Sequence, residues 1–100
     1  MPARLALDAA QIEAFCHRHH IRKLALFGSV LHDDFRPESD VDVLVEFEPG
    51  TRVTLFDMVD LEAELTEIVG RKVDLRTPGD LSHYFRQQVL DNAEVLYVRR

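Results

Sequence analysis

The sequence predicts a small α/β (α+β) fold, in which a mixed β-sheet carries helices mainly on one face. Short apolar runs at 23–27, 41–47 and 72–76 have the length and composition of strands. Two stretches with helical spacing each begin at a capping residue. No repeat, low-complexity tract or linker divides the 100 residues, so we expect a single domain over 1–100.

The first half of the chain shows the signals of a helix, two strands and an intervening turn. Asp8 is a typical helix N-cap, and Gln11 three residues later completes a capping box. The apolar run Leu24–Phe27 ends at Gly28, which indicates a buried strand that enters a turn. The other elements predicted here are a short helix at 29–34, a turn at 36–39 and a strand at 41–47.

The second half begins with the clearest helix of the chain. Thr54 and Asp57 form a capping box, and Gly70 is a typical stop. Its apolar residues recur at helical spacing at Met58, Leu61, Leu65 and Ile68. The remaining elements predicted are a strand at 72–76, a turn at 77–79, a helix near 81–92, and a strand or packed extension at 95–98.

Several side chains on these helices have simple interpretations. We interpret Glu62, Glu64 and Glu67 as a solvated helix face, and Cys16 as a core residue. Tyr84 and Phe85 either pack inward or, together with Leu81, form a surface on which a partner docks.

The most informative feature is a Gly-Ser pair followed by three aspartates in strand-like contexts. Gly28 lets the backbone approach a ligand closely, and the N–H groups that follow, with the Ser29 hydroxyl, suit a phosphate. Asp40 and Asp42 fall on one face of the next strand, roughly 6.5–7 Å apart. At an effective dielectric near 20 their charges repel by about 2.5 kcal/mol, which a divalent cation would relieve. Asp74 adds a third carboxylate.

Each part of this pattern is weak by itself. An Asp-x-Asp is about what chance gives in a chain with ten aspartates, and Gly-Ser marks many turns. A solvated strand face could also carry both carboxylates. The joint pattern favours function, because the glycine follows a strand, the spacer fits, and the third aspartate lies in another strand-like run.

The pattern Gly28-Ser29-x10-Asp40-Val41-Asp42, with Asp74 downstream, resembles the minimal nucleotidyltransferases of the DNA polymerase beta superfamily. The segments LFGSVLHDDFRPESDVDVLVEF, LFDMVDLEAEL and GRKVDL are similar to small MNT-type proteins, which are commonly antitoxins of HEPN-domain ribonuclease toxins. The resemblance covers about residues 10–98. It implies a nucleotidyltransferase-like fold over this core.

The resemblance also implies roles for individual residues. Asp40 and Asp42 match the pair that binds two catalytic metal ions. Asp74 matches the third carboxylate, which binds one metal and helps to activate the attacking hydroxyl. Gly28 and Ser29 match the pair that contacts the triphosphate.

One segment departs from the family pattern. Many relatives carry Arg-Gly where this chain has His32-Asp33. A histidine is mostly uncharged at neutral pH and would hold a phosphate weakly. Arg36 is the nearby candidate for a phosphate contact.

The activity implied by the resemblance is transfer of AMP from ATP to a tyrosine hydroxyl of a cognate HEPN toxin. The reaction would use two Mg²⁺ ions, for which Mn²⁺ could substitute, and the two proteins would form a hetero-oligomer. Two alternatives remain. One is an antitoxin that neutralises its toxin by occlusion without catalysis, and the other is a small-molecule nucleotidyltransferase.

Composition limits the partners and the cellular compartment that we expect for this protein. A formal charge of −6 argues against direct, nonspecific nucleic-acid binding, which needs a basic surface. No run approaches membrane-spanning length, and the N-terminal residues do not resemble a signal peptide. One cysteine cannot form an internal disulfide, so we expect a protein of the reducing cytoplasm.

Overall fold

The computed structural model describes residues 7–31 and 40–99, except for the side chains of residues 29 and 30. The helices and strands in these residues are α1 (Ala9–Arg18), β1 (Ile21–Phe27), β2 (Val41–Phe47), α2 (Leu55–Val69), β3 (Val73–Arg76), α3 (Arg86–Asn92) and β4 (Glu94–Val98). Two short 3-10 turns lie at Gly28–Leu31 and Pro78–Asp80.

The strands form one mixed sheet with the order β3-β2-β1-β4. β1 pairs antiparallel with both β2 and β4, whereas β2 and β3 are parallel. A parallel pair needs a crossover connection, and α2 supplies it here. The predicted fold class is confirmed.

The two long helices begin at the capping residues that the sequence indicates, and α2 also ends at the predicted glycine. The Asp8 side chain caps α1 by accepting from the backbone N–H groups of Ala10 and Gln11, at 2.9 and 3.3 Å. Thr54 and Asp57 form the capping box of α2, and Gly70 ends that helix in the left-handed region at φ +80°.

The core lies between the helices and one face of the sheet. Alternate residues of β2 point into it, because side chains alternate along a strand. The interior consists of apolar residues, among them Ile12, Phe15, Cys16, Leu24, Leu26, Val41, Val43, Val45, Leu61, Leu65, Val73 and Leu75. The core position predicted for Cys16 is confirmed, and burial raises the pKa of its thiol to about 12.

Two side chains of α2 bind the outer edge of β3. The backbone N–H of Leu75 donates to Glu62 at 2.8 Å, and that of Val73 donates to the Thr66 hydroxyl at 3.1 Å. These N–H groups face away from β2 and would otherwise be unpaired at the edge of the sheet. The helix therefore holds the edge strand in place.

The interpretation of Glu62, Glu64 and Glu67 as a solvated face is wrong for two of the three. Glu62 holds β3, and Glu64 bonds the side chains of Arg18 and His19 at the C-terminal end of α1. These bonds join α2 to β3 and to α1, and the sequence spacing along one helix does not reveal them.

The C-terminal third also differs from the predicted boundaries. The last helix begins at Arg86 rather than near 81, because Asp80 accepts from the N–H of Thr77 and closes a separate turn. The Arg86 guanidinium then bonds the backbone carbonyls of Pro78 and Leu81. The terminal strand is formed, over Glu94–Val98.

Three further predictions differ from the structure in the packing of a side chain or in the bounds of an element. Tyr84 and Phe85 do not pack inward, since they are 83% and 59% exposed. β1 begins at Ile21, two residues earlier than predicted. Of the helix predicted at 29–34, a 3-10 turn is present over Gly28–Leu31, and residues 32–39 lie outside the described residues.

No helix within 7–31 and 40–99 is long and apolar enough to cross a membrane.

The edge bonds of β3 can be tested with Glu62→Ala. We expect the free energy of unfolding to fall by about 1–3 kcal/mol, because the Leu75 N–H loses its partner in a part-buried position. Urea denaturation measures the loss, and hydrogen exchange should be faster at the Leu75 amide. Glu67→Ala on the exposed side of the same helix is the control, and an equal effect of both variants would contradict the assignment.

Candidate active site

Gly28 stands where β1 ends, directly beside the Asp42 carboxylate. Its φ of +77° lies in the left-handed region. A Cβ built at this position would lie 2.2 Å from Asp42 Oδ2 and 3.1 Å from Asp42 Cγ. Both the backbone angle and the space thus require glycine, and the turn approaches the carboxylate closely.

The sheet places Asp42 next to Asp74. The parallel register of β2 and β3 pairs Asp42 with Asp74, while the antiparallel register pairs Asp42 with Phe27, the residue before Gly28. Paired residues on neighbouring strands project from the same face, here the face opposite the core. Residues distant in sequence are therefore brought together.

Asp40 lies immediately before β2 and is exposed. The next residue, Val41, donates its backbone N–H to the carbonyl of Lys72 at 2.8 Å, which joins the starts of β2 and β3. Asp40 is therefore held at the end of the sheet that carries Asp42 and Asp74.

The Asp42 carboxylate interacts electrostatically with Asp74 and with Asp40. Burial, followed by the charges of Asp74 and Asp40, raises the pKa of the Asp42 carboxyl, and the opposing influence of Arg76 is smaller. A raised pKa means that the ionised form is disfavoured in the folded protein. The repulsion at Asp42 is thus only partly compensated by the neighbouring cationic side chain.

Arg76 is a site residue that the sequence interpretation missed. Its Nε and one terminal nitrogen lie 3.1 and 3.3 Å from the two oxygens of Asp74. The signal in the sequence is the spacing of two along a strand, which puts Asp74 and Arg76 on one face. That spacing alone does not distinguish an ion pair from two solvated side chains.

The donor set fits a hard divalent cation, which prefers carboxylate oxygens. Asp42 carries charge that burial and two neighbouring carboxylates disfavour, and a cation would relieve that repulsion. Across residues 7–31 and 40–99, no group of three or more His, Cys, Asp or Glu side chains stands ready to hold a metal ion. The Asp74 oxygens are bound by Arg76 instead.

Most of the predicted phosphate-binding groups lie outside the residues that the structure describes. The backbone of Ser29 belongs to the 3-10 turn after β1, but its side chain is not described. Arg36, and the His32-Asp33 departure, lie outside the described residues.

A cleft of about 610 Å³ adjoins Gly28 on the side of α3. Sequence reasoning did not associate α3 with the site, since no local pattern signals which strand a distant helix approaches. The described residues that line the cleft are Phe27, Gly28, Leu31, Gln88, Val89 and Asn92.

The sheet, the glycine turn and the adjacent carboxylates define the class of protein. The family model described as polymerase beta nucleotidyltransferase matches residues 10–100, and the chain belongs to this family. It is a nucleotidyltransferase, and the resemblance seen in the sequence is confirmed.

Particular relatives agree with this class. The chain is 35% identical over 81 residues to the protein adenylyltransferase MntA of Thermococcus cleftensis, covering 81% of this chain and 78% of that protein. It is similar in fold to a toxin–antitoxin crystal structure with AMP-PNP, at a TM-score of 0.73 and 21% identity, covering 94% of this chain and 76% of that chain.

A second complex has the same fold. A structure of a tri-AMPylated HEPN toxin of Shewanella oneidensis with its MNT antitoxin aligns at a TM-score of 0.64 and 20% identity. The alignment covers 91% of this chain and 70% of that chain.

Gly28→Ala tests the close approach of the turn to Asp42. The variant should lose about 1–2 kcal/mol through left-handed strain, and its new methyl group must displace the Asp42 carboxylate. We expect nucleotidyl transfer to fall roughly 10²-fold, as for other small misplacements of reacting groups.

The matched control is Gly50→Ala. Gly50 has a similar φ of +84°, but a Cβ there meets nothing within 4 Å. Urea denaturation should show the cost of left-handed strain alone in Gly50→Ala and at least that cost in Gly28→Ala, whereas only Gly28→Ala should lose transfer. Equal activity in the two variants would refute the proposed contact.

Asp42→Asn tests the charge repulsion through pH. Because the folded pKa of Asp42 is raised, its contribution to stability is fully present at low pH and is lost as the pH rises through the folded pKa. Without divalent cations, the variant should therefore melt a few degrees higher than the parent at pH 7.

The gain should shrink as the pH falls through the raised pKa, and should vanish below the ordinary value of 3.8. Differential scanning fluorimetry across pH measures it, with Asp60→Asn, an exposed position on α2, as the control. A lower melting temperature of Asp42→Asn at neutral pH would contradict this account.

Proposed function

We propose that this protein is a Mg²⁺-dependent antitoxin that transfers AMP from ATP to a tyrosine hydroxyl of a HEPN-domain ribonuclease toxin. The observation that carries the proposal is the juxtaposition of Asp42 and Asp74 in the sheet, beside the Gly28 turn. Asp40 contributes a third charge to the same site. Mn²⁺ is expected to substitute for Mg²⁺, since both accept carboxylate ligands.

Two divalent cations would be held by Asp40, Asp42 and Asp74. Bound divalent ions supply Lewis-acid chemistry in such sites, where they polarise phosphoryl oxygens and stabilise the leaving group. We assign the proton of the acceptor hydroxyl to Asp74, the role that the family resemblance implies, and this partly exposed carboxylate lies on the edge strand β3. Gly28 and Ser29 would contact the triphosphate through their backbone, with Arg36 as a further phosphate contact.

In the reaction, the tyrosine oxygen forms a bond to the α-phosphorus of ATP. The bond from that phosphorus to the bridging oxygen breaks, and pyrophosphate leaves with its electron pair. The hydroxyl proton passes to Asp74 and from there to solvent. Each transfer adds a bulky anionic group to the toxin, which would obstruct the approach of its RNA.

Relatives support both the reaction and the partner. The MntA relative carries the name protein adenylyltransferase, and the HEPN toxin in the similar complex carries AMP groups. The complex with AMP-PNP supports an adenine nucleotide as the substrate. We infer a hetero-oligomer with the toxin in the cytoplasm, acting as one domain over 1–100 and without direct binding of nucleic acid or membrane.

A non-catalytic antitoxin is the second candidate, and one observation favours it. Large apolar side chains are exposed on α2 and before α3, including Phe56 at 83% and Tyr84 at 83%. Exposed aromatic residues suit a protein interface. Neutralisation by occlusion would need such an interface and no carboxylate cluster.

The deciding experiment combines the protein, α-labelled ATP, Mg²⁺ and the product of any adjacent HEPN-type gene, followed by intact-mass spectrometry. We expect AMP increments on the toxin, reduced roughly 10²–10³-fold by Asp42→Asn, as when a preorganised electrostatic group is lost. Asp60→Asn is the control, since it makes the same change at an exposed position on α2.

Other outcomes identify the alternatives. A tight complex that inhibits the toxin without added mass would support occlusion. Transfer of AMP to a small alcohol, but to no protein, would support the small-molecule enzyme. Peptide mapping locates the acceptor, and modification at residues other than tyrosine would refute that part of the proposal.

A further inference from the structure

Arg76 binds the carboxylate that the proposed reaction needs. Its guanidinium engages both oxygens of Asp74, at 3.1 and 3.3 Å, from two residues along the same face of β3. The pair is partly accessible, with the side chains of Arg76 and Asp74 49% and 34% exposed. Water and ions can therefore reach it from solution.

The Arg76 guanidinium also interacts with carboxylates other than Asp74. It interacts favourably with Asp42 and Asp80 as well as with Asp74. It also opposes the repulsion that Asp42 receives from Asp74 and Asp40. The guanidinium thus lies beside the carboxylates to which a divalent cation is proposed to bind.

The side chain of Arg76 can leave without a change in the strand. Glu62 and Thr66 hold the backbone of β3 at Leu75 and Val73, so the position of the Asp74 backbone does not depend on the ion pair. Arg76 is the last residue of β3 and half-exposed, which leaves room for its flexible side chain to turn into solvent.

We propose that Arg76 is a positioning residue of this centre. It holds the Asp74 carboxylate in the metal-free protein and yields it to the divalent cation, so that it sets the cation affinity of the site. The inference depends on the proposed function, because it takes Asp74 to be a metal ligand.

The consequence is that removing Arg76 should tighten cation binding. The cation would no longer compete with the guanidinium, and it would meet a more negative site. An exposed ion pair contributes up to about 1 kcal/mol, which corresponds to roughly a fivefold change in a dissociation constant.

The test is a titration of the purified protein with Mn²⁺ alone, followed by the electron paramagnetic resonance signal of free Mn²⁺. We expect Arg76→Gln to lower the dissociation constant about threefold to fivefold. Arg76→Lys, which keeps the charge but not the two-point contact, should lie between Gln and the parent.

Arg99→Gln is the matched control. Arg99 also forms an exposed ion pair, with Glu48 at 2.9 Å, but its partner is not among the site carboxylates. Its removal should leave Mn²⁺ affinity unchanged. Circular dichroism verifies that each variant is folded, and Arg76→Lys carries the test if Arg76→Gln is not.

Two kinds of failure are distinguishable with Asp74→Asn. If Asp74→Asn weakens Mn²⁺ binding and neither Arg76 variant changes it, the inference about Arg76 is overturned and the proposed metal centre stands. If Asp74→Asn leaves binding unchanged, or the parent binds no Mn²⁺ up to millimolar concentration, the metal centre of the proposed function fails, and the inference fails with it.

Discussion

The parallel register between β2 and β3 is the constraint on which the site depends. It sets Asp42 opposite Asp74, and a shift by one residue would turn one of the two side chains into the core. The register is fixed by Val41, Val43, Val73 and Leu75, which must stay buried. It is also fixed from outside, where Glu62 and Thr66 of α2 bond the free edge of β3.

One face of the sheet packs into the apolar core that stabilises the fold, and the opposite face carries the candidate active site. The core face of β2 contributes fully buried valines, whereas the opposite face carries Asp42, whose charge is disfavoured by its neighbours. Period-two alternation lets one strand do both, because each residue type appears at every second position. A site that repels itself without a cation can persist because apolar burial on the other face offsets its cost.

The sequence predicted those elements whose signals are local. The Thr54–Asp57 capping box and the alternation of 41–47 fix α2 and β2 within a few residues, and both were found at the predicted bounds. What it could not supply depends on tertiary partners. The helix pattern places Glu62 on a solvent-facing side, and only the packing of β3 against α2 gives it a partner. The strand pattern likewise does not show that the Arg76 side chain turns toward Asp74. The last helix was predicted too long because the competing Thr77–Asp80 turn shortens it.

Charge explains why nucleotide and cation must bind together at such a site. Asp74 and Asp40 both repel the charge of Asp42, and Arg76 opposes that repulsion. The whole chain is also acidic, at −6. A polyphosphate approaching this surface alone would meet repulsion, which falls off only over roughly 10 Å at moderate salt. A nucleotide that brings divalent cations would reverse the sign of that interaction, so in the proposed function the metal would supply binding as well as chemistry. The acidic centre would then select the metal–nucleotide complex over the free nucleotide.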